Sequence, residues 1–185
     1  MLPNLSGDVP DWYFESPPDQ HSPWWVAHIH TQNSRLFLSR LRGSGVGCFL
    51  PMYQPRQSRK DRRQGKRPPA YRPLFPGYAF LRGDGDARSL VVRTNYVVQI
   101  LSVNDQQTLH DQLSDIYRLI CAGVSIAPED NLCPGKTAEI VSGPLAGFSG
   151  KVRHAGSKFK LVVDVNFIQK SVSVEVDRFN VREVA

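Results

Sequence analysis

The most informative segment of this sequence is Arg72-Pro73-Leu74-Phe75-Pro76-Gly77-Tyr78-Ala79-Phe80-Leu81. Its second half alternates aromatic with smaller apolar residues, which is typical of a β-strand that begins near Tyr78. The two prolines each fix a φ angle and remove an N–H donor, so they stiffen the entry to this strand. We therefore expect Leu74 and Phe75 to be extended and displayed, with Gly77 allowing close backbone approach. Such a frame fits a partner-binding surface or, as an alternative, an edge strand protected by its prolines.

A dense basic run leads into this segment. Residues 56–72 carry eight basic residues and one acid, whereas residues 73–185 are neutral overall and the chain has a net charge of +6. Lys and Arg at this density can displace the counterions of a nucleic-acid backbone. A phosphate-facing loop is the expected role, and a solvated loop without a ligand is the alternative.

Length and composition restrict the class of protein. The chain has 185 residues and 41% hydrophobic content, with no apolar stretch long enough to span a membrane. Its three cysteines are far apart and odd in number, which favours reduced thiols in a cytoplasmic protein. His28 and His30 lack a third ligand nearby, so no metal is expected. No nucleophile–base pair or phosphate-cradling motif is present, and we expect neither an enzyme nor a cofactor.

The amino-terminal part alternates strand and helix patterns after an acidic, proline-rich extension at residues 1–22. Strands are predicted from Trp24, over 46–53, from Tyr78 and over 96–101. Helices are predicted after Asn33, over 87–92, and from Asn104 to Gly123. This order predicts an α+β fold over residues 23–121, with helices flanking an antiparallel sheet.

The carboxy-terminal part has a different pattern. Residues 122–132 contain Gly, Pro and acids without a clear period, and we interpret them as a linker. From Cys133 the chain alternates apolar and polar residues between glycine turns, most clearly over 159–165 and 172–176. Five short strands in this region predict a small all-β barrel over residues 133–185.

Two motifs in the same order make the chain resemble a known family. Residues 24–26, 49–51 and 74–80 resemble the amino-terminal (NGN) domain of NusG-type transcription elongation factors. The KOW motif of that family's second domain resembles Ser142-Gly143-Pro144-Leu145-Ala146-Gly147-Phe148-Ser149-Gly150-Lys151-Val152. The resemblance covers residues 23–185.

The resemblance implies a monomeric factor that binds the clamp of RNA polymerase and suppresses pausing without covalent chemistry. The implied polymerase contacts are Trp24, Phe75, Pro76 and Tyr78. The basic run would face non-template DNA, and its implied contacts are Arg59, Lys60, Arg62, Arg63, Lys66 and Arg67. The KOW domain would recruit a small-subunit ribosomal protein or the terminator Rho through Phe167 and Ile168, for which packing at the barrel end is the alternative.

Two departures from the family pattern bear on the sub-class. Tyr96 and Gln169 stand where the family has glycines. They favour a specialised, RfaH-like paralogue that acts on selected operons. The β-branched runs near Val163 and Val174 predict a KOW domain that stays in its β form. The alternative function is a ribosome-associated or general RNA-binding KOW protein.

Overall fold

The computed structural model describes residues 13–14, 22–129, 135–155, 158–177 and 180–183. The chain groups into two compact units. The first contains the segments up to Met52 and Phe75–Gln106, and the second contains Tyr53–Leu74 and the chain from Gln107 onward. In this grouping the basic run and most of the helix after residue 105 fall in the second unit.

The elements of the described residues are, in chain order, as follows. The strands are β1 (Tyr13–Phe14), β2 (Trp24–Ile29), β3 (Gly47–Phe49), β4 (Met52–Tyr53), β5 (Arg72–Pro73), β6 (Tyr78–Arg82), β7 (Val97–Ser102), β8 (Ile126–Glu129), β9 (Lys136–Ile140), β10 (Ser149–Ala155), β11 (Lys158–Val165), β12 (Lys170–Val176) and β13 (Val181–Glu183). The α-helices are α1 (Ser34–Leu41), α2 (Arg59–Arg63), α3 (Gly85–Arg93) and α4 (Gln106–Cys121), and short 3-10 helices cover Thr31–Asn33 and Asn166–Ile168.

The first unit is built on an antiparallel sheet with the strand order β1-β3-β6-β2-β7. In its centre Val26 pairs with Phe80 and Ala27 with Ala79, and all four side chains are fully buried. Because neighbouring residues of a strand point to opposite faces, β2 is covered on both faces. The α+β fold with an antiparallel sheet is confirmed, and β2 is an interior strand of that sheet.

The helices follow their apolar periods with local exceptions. In α4, the residues Leu109, Leu113, Ile116 and Leu119 are buried at the predicted helical spacing. In α1, Phe37, Leu38 and Leu41 are buried, but Leu36 is exposed.

The helix α3 begins at Gly85, two residues before the helix predicted over 87–92. Asp84 is the cap residue, and its Oδ1 accepts a hydrogen bond from the Ala87 N–H at 2.9 Å. Asp86 instead lies in the first turn of the helix, where its charge is favourable.

The second unit contains a six-stranded antiparallel sheet with the order β13-β9-β10-β11-β12-β8. Leu161, Val163 and Val165 of β11, together with Val172 and Val174 of β12, are buried, as their alternation predicts. The all-β character of this region is confirmed.

Part of the segment expected to be a linker is instead the edge strand β8. It pairs with β12 and buries Ile126, which lies opposite Val174. This strand was not predicted because it contains Pro128, and proline has no N–H to donate to a strand ladder. An edge strand tolerates proline, since one of its sides is unpaired. Within the described residues, no helix is both long and apolar enough to cross a membrane.

Candidate functional site

The strand register places two of the predicted polymerase contacts on one face of the first sheet. Trp24 pairs with Arg82, Val26 with Phe80, and His28 with Tyr78. Alternate residues of a strand share a face, so Trp24 and Tyr78 lie on the same face, about 13 Å apart along the strands. The pair between them, Val26 and Phe80, is fully buried. The two aromatic residues therefore lie at opposite ends of a buried apolar strip.

Trp24 is held at its end of the strip by two groups. The guanidinium carbon of Arg82 lies 5.3 Å from the centre of the Trp24 ring, within the range of a cation–π interaction. The Gln106 side chain accepts from the Trp24 N–H at 2.6 Å and donates to the Trp24 carbonyl at 3.0 Å. These contacts fix the backbone and one face of a half-exposed indole.

The turn Pro76-Gly77-Tyr78 fixes the other end of the strip. Gly77 has a φ of +85°, and a β-carbon there would lie 3.4 Å from the His28 ring. The Gly77 carbonyl accepts a hydrogen bond from the Ile29 N–H at 2.8 Å. The left-handed conformation favours glycine, whereas the 3.4 Å approach to the His28 ring is an ordinary van der Waals contact. The result is an exposed Pro76 beside a half-buried Tyr78, whose ring centre lies 5.5 Å from that of His28.

The prediction that Leu74 and Phe75 are displayed is wrong. Both side chains are buried, with Leu74 fully inaccessible and Phe75 2% exposed. The Phe75 ring packs edge-on against Phe80 with ring centres 5.9 Å apart. The prolines restrict the backbone as expected, but an apolar pocket beneath the turn offers more stabilisation than exposure to water. Phe75 therefore supports the turn from below and is not available as a surface contact.

The basic run forms a structured arm, residues 54–71, between the paired strands β4 and β5. At its tip lies the short helix α2, whose first turn is capped by Ser58: its Oγ accepts from the Asp61 N–H at 3.0 Å. Two further hydrogen bonds cross the arm, from Gln57 Nε2 to the Lys66 carbonyl at 2.7 Å and from Gln54 Nε2 to the Pro69 carbonyl at 3.0 Å. The arm is therefore a hairpin-like connection that carries a short helix.

The six predicted phosphate contacts of the arm are all exposed, but they are not equivalent. Lys66 Nζ lies 2.7 Å from Asp61 Oδ1, and the hydrogen bonds from Lys66 and then Ser58 lower the pKa of the Asp61 carboxyl below its ordinary value. Arg62 donates to the Gln57 carbonyl at 3.3 Å. Among the described residues, no side-chain partner is found for the other four, which are Arg59, Lys60, Arg63 and Arg67.

The two residues predicted as KOW contacts differ in exposure. Phe167 is 37% exposed, whereas Ile168 is buried. Both belong to the 3-10 helix that joins β11 to β12. The residue that follows this helix, Gln169, has the left-handed backbone conformation with φ 54° and ψ 38°. Only Phe167 presents a surface, and Ile168 fits the alternative role of packing.

A polar cluster around Glu129 was missed by sequence reasoning. Its Oε1 accepts hydrogen bonds from Lys160 Nζ at 2.9 Å and Ser173 Oγ at 2.8 Å, and its Oε2 lies 2.8 Å from an Arg153 guanidinium nitrogen. Burial alone would raise the pKa of Glu129, but the bonds from Lys160, Ser173 and Arg153 outweigh burial and lower the pKa to about 2. The only sequence signal was a set of polar residues at the outward positions of strands.

A family model described as "Transcription termination factor nusG" matches residues 22–117, more than half of the chain. The chain belongs to the NusG family. The family resemblance inferred from sequence is thereby confirmed, and NusG-family members are transcription regulators of the termination and antitermination class rather than enzymes.

Two individual proteins extend this comparison beyond residue 117. The transcription termination/antitermination protein NusG of Pseudomonas aeruginosa is 24% identical over 173 residues, covering 87% of this chain and 98% of that protein. A solved structure that describes the domain interaction in Thermotoga maritima NusG has a TM-score of 0.52 at 18% identity, covering 89% of this chain and 98% of that one. The structural likeness supports the NusG fold over both parts of the chain.

Proposed function

We propose that this NusG-family protein is an elongation and antitermination factor that binds the RNA polymerase clamp through Trp24, Pro76 and Tyr78. The observation that supports this most is the Pro76-Gly77-Tyr78 turn. The turn holds a tyrosine ring half exposed on a rigid sheet face, next to an exposed proline. A pre-positioned aromatic ring loses little conformational entropy on binding, and such residues dominate protein interfaces. Phe75 contributes indirectly, by supporting this turn.

The test is the affinity of purified core RNA polymerase for Tyr78→Ala, with Tyr78→Phe as the matched control. Removal of an anchoring ring costs about 2 kcal/mol or more, which corresponds to about a 30-fold weaker complex. Tyr78→Phe keeps the ring and should bind within about threefold of wild type. Equal loss in both variants would contradict binding through the ring. Failure of the wild-type protein to bind polymerase would favour the ribosome-associated alternative.

The basic arm is proposed to contact the non-template DNA strand. Four exposed cations of the structured arm, for which the described part of the chain provides no side-chain partner, support a backbone contact rather than base stacking. Each phosphate contact on a single strand contributes about −0.7 to the slope of log affinity against log salt, so four contacts predict a slope of about −2.8. A slope near zero with a single-stranded oligonucleotide would exclude this role for the arm.

Recruitment of a partner by the KOW domain is proposed to depend on Phe167. The side chain is exposed beside a tight turn, where a partner pocket can reach it. Phe167→Ala should abolish capture of the small-subunit ribosomal protein or of Rho. Val141→Ala is the control, because Val141 is also an exposed apolar residue of the second unit. Equal effects of the two variants would argue against a specific role for Phe167.

We further propose that the protein is a specialised, RfaH-like paralogue. The support is sequence-based: Tyr96 and Gln169 occupy positions where the resemblance leads us to expect glycine. The test is transcription in vitro over a panel of templates that differ in non-template sequence. Equal antipausing activity on all templates would indicate a general factor instead.

A further inference from the structure

Tyr78 has a cross-strand neighbour on one side only, and that neighbour is His28. The two residues lie directly opposite each other in the pairing of β6 with β2. On the other side of β6, the strand β3 ends at Phe49, which lies opposite Phe80. Within the described ranges, no strand residue therefore pairs with Tyr78 on that side. A directly opposite pair has its Cβ atoms about 4.5–5.5 Å apart, so His28 is close enough to support the tyrosine side chain.

The His28 ring contacts both the Tyr78 ring and the turn that precedes it. The two ring centres lie 5.5 Å apart with the ring planes inclined by 34°, which is within the range of aromatic pairs. A β-carbon at Gly77 would lie 3.4 Å from His28 Cδ2, so the imidazole also lies against the turn. The His28 side chain is exposed, and among the described residues its imidazole makes no hydrogen bond. Its contribution here is the packing of one ring against another.

The other end of the apolar strip has the same arrangement. Trp24 is half-buried, and the residue directly opposite it, Arg82, places its guanidinium over the indole ring. Each end of the strip therefore consists of an aromatic ring and one cross-strand side chain that lies against it. A ring with such a neighbour has fewer accessible orientations than a ring that is surrounded by water.

We propose that His28 is a positioning residue of the polymerase-binding surface, because its ring holds the Tyr78 ring in the orientation that binds. This inference rests on the polymerase contact proposed above for Tyr78. On a β-strand, an unrestrained side chain commonly occupies two χ1 rotamers. The contact with His28 favours one of them, so the tyrosine ring is already ordered before polymerase arrives.

The expected cost of losing His28 follows from the freedom that Tyr78 would regain. Ordering one side chain during binding weakens a complex roughly three- to tenfold. His28→Ala should therefore bind core RNA polymerase about three- to tenfold more weakly, which is less than the loss of about 30-fold expected for Tyr78→Ala. Because the His28 side chain is exposed, we expect the variant to fold.

Nuclear magnetic resonance of the free, full-length protein tests the positioning without polymerase. Three-bond couplings to Tyr78 Cγ measure its χ1 populations, and we expect one dominant rotamer in wild type and averaged couplings in His28→Ala. His28→Phe keeps a ring at this position and should restore the single rotamer. Gln99→Ala is the matched control, because exposed Gln99 lies opposite His28 on the side away from Tyr78. A single rotamer in His28→Ala, or averaging in Gln99→Ala, would overturn the proposal.

A double-mutant cycle with core RNA polymerase tests whether His28 acts through Tyr78. His28→Ala should weaken binding in the wild-type background and have no further effect in the Tyr78→Ala background, whereas the effects of Gln99→Ala and Tyr78→Ala should add. A full effect of His28→Ala in both backgrounds would show a direct contact with polymerase and would overturn the positioning role. Failure of the wild-type protein to bind would reject the proposed function itself. Normal wild-type binding with equal rotamer populations in all variants would reject this inference alone.

Discussion

The ion pair between Asp61 and Lys66 leads to a prediction with an unusual sign: removal of Asp61 should strengthen nucleic-acid binding. In the arm, Lys66 Nζ lies 2.7 Å from Asp61 Oδ1, so its charge is already neutralised by the protein. Asp61→Asn keeps the backbone N–H that is capped by Ser58 and retains a polar side chain. It frees Lys66 for a phosphate and removes a negative charge from the same surface.

The expected magnitude follows from counting available cations. The four cations that lack a side-chain partner within the described residues give a slope of about −2.8 for a single strand, and a fifth changes the slope to about −3.5. Relative to 1 M salt, one further contact strengthens binding about fourfold at 0.15 M and about eightfold at 0.05 M. The gain should therefore increase as salt decreases.

Fluorescence anisotropy with a labelled single-stranded oligonucleotide, titrated across salt concentrations, measures both affinity and slope. The double variant Asp61→Asn/Lys66→Gln should return to the wild-type slope, because the freed cation is then absent. Asp111→Asn changes the net charge equally outside the arm and should leave the slope unaltered. A wild-type slope in Asp61→Asn, or a gain that survives in the double variant, would refute the reasoning.

Three further predictions concern stability. Phe75→Ala should lower the free energy of unfolding by about 3–5 kcal/mol, since it empties a buried aromatic site; a loss below about 1 kcal/mol in urea denaturation would place Phe75 at the surface. Gln169→Gly should raise the melting temperature by relieving a left-handed residue, a gain of about 0.5–1 kcal/mol, whereas Gln169→Ala should not. The stability difference between wild type and Glu129→Gln should be constant above pH 4.5 and shrink as the pH falls toward 2, because the folded-state pKa is lowered from 4.5 to about 2. A difference that persists to pH 2 in thermal denaturation would contradict that assignment.

Periodicity was sufficient to predict the elements that bury most of their apolar surface. The strand β2 has a continuous apolar run and the helix α4 has apolar residues at helical spacing, and the structure buries Val26 and Ala27 of β2 and Leu109 and Leu113 of α4. These features depend on neighbours in sequence, so the sequence contains the information directly. Gly77 was predicted only to allow close backbone approach, and its left-handed conformation was not predicted from sequence.

Phe75 shows where such reasoning ends. The flanking prolines restrict the backbone on either side, and that restriction was inferred correctly. The direction of the side chain depends on Phe80 and on the space beneath the turn, which only the packed sheet defines. A phenyl ring of this size stabilises the fold by roughly 1.5–3 kcal/mol when buried. The stiffness of the local backbone therefore predicted that a side chain would be held rigidly at the surface. Tertiary packing decided which side chain that is. Tyr78 is the half-exposed one, because its hydroxyl group can remain in water.

The roles of the charged residues were also not predictable from the local sequence, because these roles depend on which partners the fold brings to each charge. Composition alone gives the arm seven bases, but geometry assigns Lys66 to Asp61 and Arg62 to the arm backbone. Glu129 is the stronger case, because its partners Lys160 and Ser173 lie 31 and 44 residues away in sequence. In the sequence it is one acid at the end of a proline-containing linker, and nothing nearby in the chain neutralises it. Only the antiparallel order of β10, β11, β12 and β8 brings three donors to one carboxylate, so the topology of the sheet creates this cluster.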